Sequence, residues 1–216
     1  MNRINLAQWL ANAGLNVGEQ IVAYYEVAGV FAARFWWMTA MAGTRCRRRA
    51  RRRICKVGQG RPKRRRDVRA YAAGSFRGSV RERMRVDVCD VEKAVEENAG
   101  TLTIVDARAA SRHAGEGETI DRAGGHIPGA LNRPYLQNLS DEGTFKSGEE
   151  LRSEFEQLLA GAPAATVVSQ CGSGVSACHN LLAMEISGLR GARLDPGSWS
   201  EWIADSARPI ATGDKP

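Results

Sequence analysis

From about residue 86 onward, apolar positions follow two periods. Short unbroken apolar runs, Thr101-Leu102-Thr103-Ile104-Val105 and Ala165-Thr166-Val167-Val168-Ser169, read as strands buried on both faces. Between and after them, apolar residues recur at helical spacing. Val91 to Asn98 reads as a short helix stopped by Gly100. Ser147 reads as the N-cap of a helix that carries Leu151, Phe155, Leu158 and Leu159 on one face, and a third helical pattern runs roughly from Val175 to Ser187. Ala130-Leu131-Asn132 is a further short strand, and Ala192-Arg193-Leu194 a last one before a segment holding Trp199 and Trp202. Ala114 to Gly125, rich in glycine and charge, reads as a loop. Strands alternating with helices predict an α/β fold, a parallel sheet covered on both faces. Ligands of such sheets bind at the carboxyl ends of the strands, where Asp106 and Cys171 both fall.

The first 43 residues carry a weaker version of the pattern. Leu6 to Ala13 has helical spacing and ends at Gly14; Gln20-Ile21-Val22-Ala23-Tyr24 reads as a strand; Phe31 to Met41 reads as a buried helix with Trp36 and Trp37 in its packing. Ile21 to Ala42 is apolar, but Glu26 and Arg34 are costly in a bilayer, so the stretch reads as soluble core with no membrane partner. No basic segment followed by a clean apolar core opens the chain, so no signal peptide is expected.

Charge changes the picture in one place. The net charge of +7 comes from 31 basic and 24 acidic residues, and thirteen of the basic ones lie between Thr44 and Arg66 with no acid among them. Without that segment the chain carries −6, so one stretch makes an acidic protein look basic. Arg45 to Lys56 and Arg61 to Arg66 are basic patches of the kind that bind nucleic acid, but little aromatic interleaving and no amphipathic period accompany them. A nucleic-acid partner is therefore the weaker reading. Five cysteines at irregular spacing argue against a disulfide framework, and a cytoplasmic, reducing setting follows if Cys171 is to stay a thiol.

The candidate chemistry centres on Cys171-Gly172-Ser173-Gly174-Val175-Ser176-Ala177-Cys178. It leaves a buried strand and enters a helix, whose first N–H groups have no partner inside the helix and whose dipole is positive there. Gly172 and Gly174 let successive N–H groups turn inward as an anion-binding nest. Thiols placed in such surroundings are poised as thiolates, whereas a buried structural cysteine is the plainer alternative.

Cys171 to Ala177, continuing as Cys178-His179-Asn180, resembles the active-site loop of the rhodanese-type sulfurtransferases. Cys-Gly-Ser-Gly-Val is similar to the loop of the 3-mercaptopyruvate enzymes; the thiosulfate enzymes more typically carry Arg and Lys after the cysteine. Three more motifs agree in order: Val105-Asp106-Ala107-Arg108, Gly125-His126-Ile127-Pro128-Gly129-Ala130-Leu131-Asn132, and Gly197-Ser198-Trp199-Ser200-Glu201-Trp202. Together they cover roughly Val86 to Ile210.

The resemblance implies a catalytic rhodanese-like domain over 86–216 and a linker over 67–85. Residues 1–43 resemble part of a non-catalytic N-terminal rhodanese-like domain, so an incomplete second domain is expected. One codon choice for Arg45 to Arg61, read one base out of frame, spells a peptide resembling the strand, Leu-Asp-Gly-Gly turn and helix that end that domain. Residues 44–66 are therefore read as a frameshift product, a hypothesis that resequencing the locus tests.

The implied activity moves a sulfane sulfur from a small-molecule donor, 3-mercaptopyruvate or thiosulfate, through a Cys171 persulfide to a thiol or cyanide acceptor. No metal or other cofactor is implied. Ser173 would relay a proton, Arg112 would bind the donor, and Arg122 is the nearest candidate for a second arginine. The backbone of Gly172, Gly174, Val175, Ser176 and Ala177 would bind the sulfur anion, with Asp106 in a supporting role. His126, His179 and Cys178 are expected in packing roles. Asp195 stands where the family usually has an aromatic. Three rivals remain: a Cys-dependent phosphatase, disfavoured because Ala177 stands where a phosphate-gripping arginine would close the loop; an inactive protein with a truncated N-terminal domain; and a basic nucleic-acid binder.

Overall fold

The computed structural model describes residues 3–23, 25, 28–43, 72–97 and 100–213. Two helices come first, α1 (Arg3–Asn12) and α2 (Val30–Met41); then α3 (Val88–Glu96), β1 (Thr103–Asp106), α4 (Ala110–Ala114), β2 (Leu131–Asn132), α5 (Gly148–Leu159), β3 (Val167–Gln170), α6 (Ala177–Ile186), β4 (Arg193–Leu194) and α7 (Ser198–Trp202). The four strands form one parallel sheet in the order β2-β1-β3-β4.

Register follows from the period-2 alternation of strand side chains. Ile104 pairs with Val168, and both enter a core with Val91 of α3 and Trp199 and Trp202 of α7. The neighbouring residues Val105 and Val167 point the other way, into Leu151 and Phe155 of α5 and Ala183 and Met184 of α6. Both faces are therefore covered, as the unbroken apolar runs predict. Two helices start where capping side chains replace missing intrahelical acceptors. Ser147 and Glu150 form a reciprocal capping box at α5, and Asp87 and Asp90 form one at α3, which starts three residues before the predicted Val91.

The predicted strand over Gln20–Tyr24 is not there among its described residues: 20–23 are in no strand, and Val22 is 73% exposed. Alternation signals a strand only when another edge is available to pair with it, and all four strands of the sheet come after residue 100. The helices α1 and α2 are as the spacing predicts. Helix α2 lies against α6, with Ala33 and Trp37 packed among Cys171, Ala177, Cys178 and Leu181. Residues 72–81 run extended across the first two helices, donating from Gly74 to Ala11 O (2.7 Å), Ser79 to Ala42 O (2.9 Å) and Arg81 to Met41 O (2.9 Å). The basic segment 44–66 lies outside the described residues. Among the described residues, no helix is long and apolar enough to cross a membrane.

Candidate active site

The carboxyl ends of β1 and β3 are adjacent, because Asp106 pairs with Gln170. Cys171 leaves β3 there and is 2% exposed. The start of α7 fixes its backbone: the Cys171 N–H donates to Ser198 Oγ (3.1 Å), and its carbonyl accepts from the Trp199 N–H (3.0 Å). The Gly172 carbonyl accepts from the Ser200 N–H (2.9 Å). Gly174 sits at φ +71, and a Cβ there would lie 2.5 Å from Pro196 O, so this turn requires glycine twice over. Ala177, wholly buried, begins α6, and its carbonyl accepts from Ser169 Oγ (3.1 Å) on β3.

This path leaves a run of donors open. Among the described residues, the N–H groups of Gly172, Ser173, Gly174, Val175 and Ser176 find no acceptor in the protein. Unfilled donors at the N-terminus of a ten-residue helix make an anion cradle. Ser173 is exposed at the tip of the loop, Val175 and Ser176 are half-buried, and Gly174 is buried.

Arg112 projects from α4 toward this loop. Its Nη1 and Nη2 lie 3.9 and 4.0 Å from where a Cβ on Gly172 would stand. Nε donates to Glu118 Oε2 (2.8 Å) and Nη2 to Asp121 Oδ2 (2.8 Å). Asp121 is held in turn by the Ser200 hydroxyl (2.8 Å). Two carboxylates thus hold Nε and Nη2 and leave Nη1 without a protein acceptor among the described residues, and Asp121 Oδ2 itself lies 3.7 Å from the same Cβ position on Gly172. Burial is the largest influence on Arg112 and weakens its hold on the proton, but Glu118 and Asp121 outweigh it and keep the pKa raised. Burial also opposes ionisation of Glu118, yet its bonds from Arg112 and from the Ile120 and Asp121 N–H groups bring it down to about 2.

Asp106 is wholly buried. It accepts from Arg108 N (3.0 Å) and Nη2 (2.7 Å) and lies 3.1 Å from His113 Nδ1. Burial alone would raise its pKa; the bonds from His113 and Arg108 turn the shift downward. Arg108 continues to Gly125 O (2.6 Å) and lies over the Trp199 ring at 4.7 Å, so Asp106 organises the floor under the Arg112 loop. Arg122 is exposed and borders a shallow depression with Ile203, Asp205 and Arg208; among the described residues no hydrogen bond or ion pair joins it to the Cys171 loop.

His126 Nδ1 lies 2.8 Å from the His113 carbonyl, and the two rings stack at 3.8 Å. His179 is pushed down to about 4 by burial and is neutral at pH 7, with Nε2 3.0 Å from Ala28 O and Nδ1 3.1 Å from Asn138 Nδ2. The Cys178 thiol is pushed up to about 12 by burial and donates to Gly174 O (3.4 Å). Burial also pushes Asp195 up to about 6; its Oδ1 accepts from the N–H groups of Gly197 (3.2 Å) and Ser198 (3.1 Å).

Four participants escape the sequence reading. Glu118 and Asp121 are visible only as charges in a glycine-rich loop, six and nine residues after Arg112. Ser198 adopts φ +54, which costs a non-glycine residue about 1 kcal/mol or more, and is held by its bonds to Cys171 N and Asp195 O (2.8 Å). Arg34 of α2 donates to Gly174 O (3.0 Å) from 140 residues away, a contact no local pattern reports.

Comparison with known proteins agrees with this architecture. The rhodanese-like domain model matches residues 90–205. A probable 3-mercaptopyruvate sulfurtransferase of Pseudomonas aeruginosa is 38% identical over 219 residues, covering 97% of this chain and 73% of that protein. The 3-mercaptopyruvate sulfurtransferase of Escherichia coli K12 is 33% identical over 207 residues, covering 91% of this chain and 69% of its own. The crystal structure of SseA from Escherichia coli superposes with a TM-score of 0.69 at 29% identity, over 92% of this chain and 74% of that one. The chain belongs to the rhodanese-type sulfurtransferase family.

Proposed function

We propose that the protein moves a sulfane sulfur from 3-mercaptopyruvate, through a persulfide on Cys171, to a thiol or cyanide acceptor. The observation that carries this reading is the buried cysteine at the mouth of an unfilled N–H cradle with no basic side chain on the loop. The Cys171 thiolate attacks the donor sulfur, an S–S bond forms, and the carbon–sulfur bond breaks. The electron pair leaves on carbon as the pyruvate enolate, which takes up a proton. Ser173, exposed and without a protein partner among the described residues, stands where it could relay that proton. The persulfide anion is stabilised by the loop N–H groups as an oxyanion hole stabilises oxygen. An acceptor thiolate, or cyanide, then takes the outer sulfur and regenerates the Cys171 thiolate, a ping-pong sequence. The cycle closes without a cofactor, and a reducing, cytoplasmic setting suits the free thiol.

Arg112 Nη1, near Gly172 and without a protein acceptor among the described residues, is the group that would hold the donor carboxylate, with Glu118 and Asp121 fixing the guanidinium. Thiosulfate, a dianion, meets no positive side chain on the loop itself and is the poorer donor. Arg122, exposed and away from this constellation, would act only as long-range positive charge. Steady-state kinetics with both donors tests the reading. kcat/KM is expected to favour 3-mercaptopyruvate, and Arg112→Ala is expected to raise KM for it about tenfold to a hundredfold, the worth of one charge-assisted hydrogen bond. A clear preference for thiosulfate would refute the donor assignment.

A further inference from the structure

We propose that Arg34, on α2, is a positioning residue for the Cys171 loop, so that the N-terminal segment sets the geometry of the catalytic cradle. This rests on the reading of Cys171 as the sulfur carrier. Three contacts define the arrangement. Arg34 Nη1 donates to the Gly174 carbonyl at 3.0 Å. The same nitrogen lies 3.8 Å from Cys178 Sγ, whose thiol donates to that carbonyl at 3.4 Å. The guanidinium carbon lies 5.0 Å from the centre of the Trp37 ring, and Trp37 is 3% exposed, so the arginine is braced by its own helix.

Peptide geometry gives these contacts their consequence. The bond between Gly174 and Val175 is trans, as are all described peptides. In a trans peptide the carbonyl and the following N–H point in opposite directions. Fixing the Gly174 carbonyl toward α2 therefore fixes the Val175 N–H away from α2. That N–H is one of the open donors of the cradle. Gly174 has no Cβ to restrict its ψ, so it places little constraint of its own on the peptide that follows it. An external hold on the carbonyl adds to the resistance of Val175 to positive φ and keeps the peptide from turning its N–H out of the cradle. Arg34 and the Cys178 thiol supply it, and Arg34 is the charged, stronger donor of the two.

Arg34 is distinct from the donor clamp, because Arg112 approaches from α4 at Gly172. Loss of Arg34 should therefore disturb stabilisation of the transferred sulfur more than donor binding. The test compares Arg34→Met, which keeps length and bulk without a donor, with Arg34→Lys, which restores one. In sulfur transfer from 3-mercaptopyruvate, Arg34→Met should lower kcat about tenfold to a hundredfold, the cost of a misplaced catalytic group. KM should stay within about twofold, and Arg34→Lys should recover part of the loss. Unchanged kcat in Arg34→Met would overturn the proposal. So would a parallel change in kcat and KM with a collapsed Tm that lysine does not repair.

A second readout does not depend on sulfur transfer: the ratio of labelling rates at Cys171 by iodoacetate and by neutral iodoacetamide. Inward N–H groups favour the anionic reagent, so the ratio should fall in Arg34→Met and rise again in Arg34→Lys. A ratio unmoved in Arg34→Met would overturn the positioning role even if the chain transferred no sulfur. An altered ratio in an inactive wild type would keep that role and reject the sulfurtransfer reading.

Discussion

Replacing Asp195 with asparagine should stabilise the protein at neutral and alkaline pH. Asp195 is 2% exposed and lies beneath Cys171, linked through Ser198. Burial is the main reason its carboxyl is pushed from 3.8 to about 6, and the nearby Glu201 and Asp87 carboxylates add to it. The sign follows from linkage. Above pH 6 the group is ionised in both states, and only the folded state bears the cost of a buried charge. Below pH 3.8 it is neutral in both states. Its contribution therefore improves as pH falls from about 6 toward 3.8 and worsens as pH rises. A rise from 3.8 to about 6 corresponds to about 3 kcal/mol. Asparagine keeps the Oδ1 that accepts from Gly197 and Ser198 but adds a buried NH2 group, whose unmet bonds cost about 1–3 kcal/mol. The net gain at pH 8 should be up to about 2 kcal/mol, a Tm rise of up to about 8 °C for a chain of this size. Urea or thermal unfolding of both proteins at pH 8 and pH 5 measures it. The variant should be more stable at pH 8, with the gap narrowing at pH 5. A variant less stable than the parent at pH 8, or a gap independent of pH, would refute the reasoning.

Gly174→Ala should cost about 1–3 kcal/mol of stability and most of the activity, because a Cβ at φ +71 would meet Pro196 O at 2.5 Å; chemical denaturation and kcat check both. Cys171→Ser should abolish sulfur transfer while Cys178→Ser leaves most of it, since a hydroxyl can replace the Cys178 thiol as donor to Gly174 O but cannot carry a persulfide in place of Cys171. Residual turnover in Cys171→Ser equal to wild type would overturn the site assignment.

How much of this was legible from residues alone varied with range. Strand runs such as 165–169 and the amphipathic face of α5 depend on periods within a dozen residues; the helix is where the pattern puts it, and the strand is Val167–Gln170, the first two residues of the expected run lying in a 3-10 turn. The stretch Gln20–Tyr24 has strand-like apolar residues, but its described part has no neighbouring edge to pair with. Helix α4 is five residues long, too short for any period to appear. The cysteine loop could be found because glycines, strand end and helix start are contiguous. Its supports could not: Ser198 reaches Cys171 across 27 residues and Arg34 reaches Gly174 across 140. Nor does composition show that Glu118 and Asp121 share one arginine, because the loop that carries them has no period. Asp195 stands out in sequence only as a departure from an aromatic; its burial as an acid appears only with the fold.

The central claim is that Cys171 carries the sulfur. Mass spectrometry of the intact protein and its peptides after brief exposure to 3-mercaptopyruvate, without acceptor, tests it directly. The account expects one added sulfur, about 32 Da, on the peptide containing Cys171, lost again on adding a thiol or cyanide. Sulfur found on Cys89 or Cys178 instead, or no added mass while sulfur transfer proceeds, would contradict it.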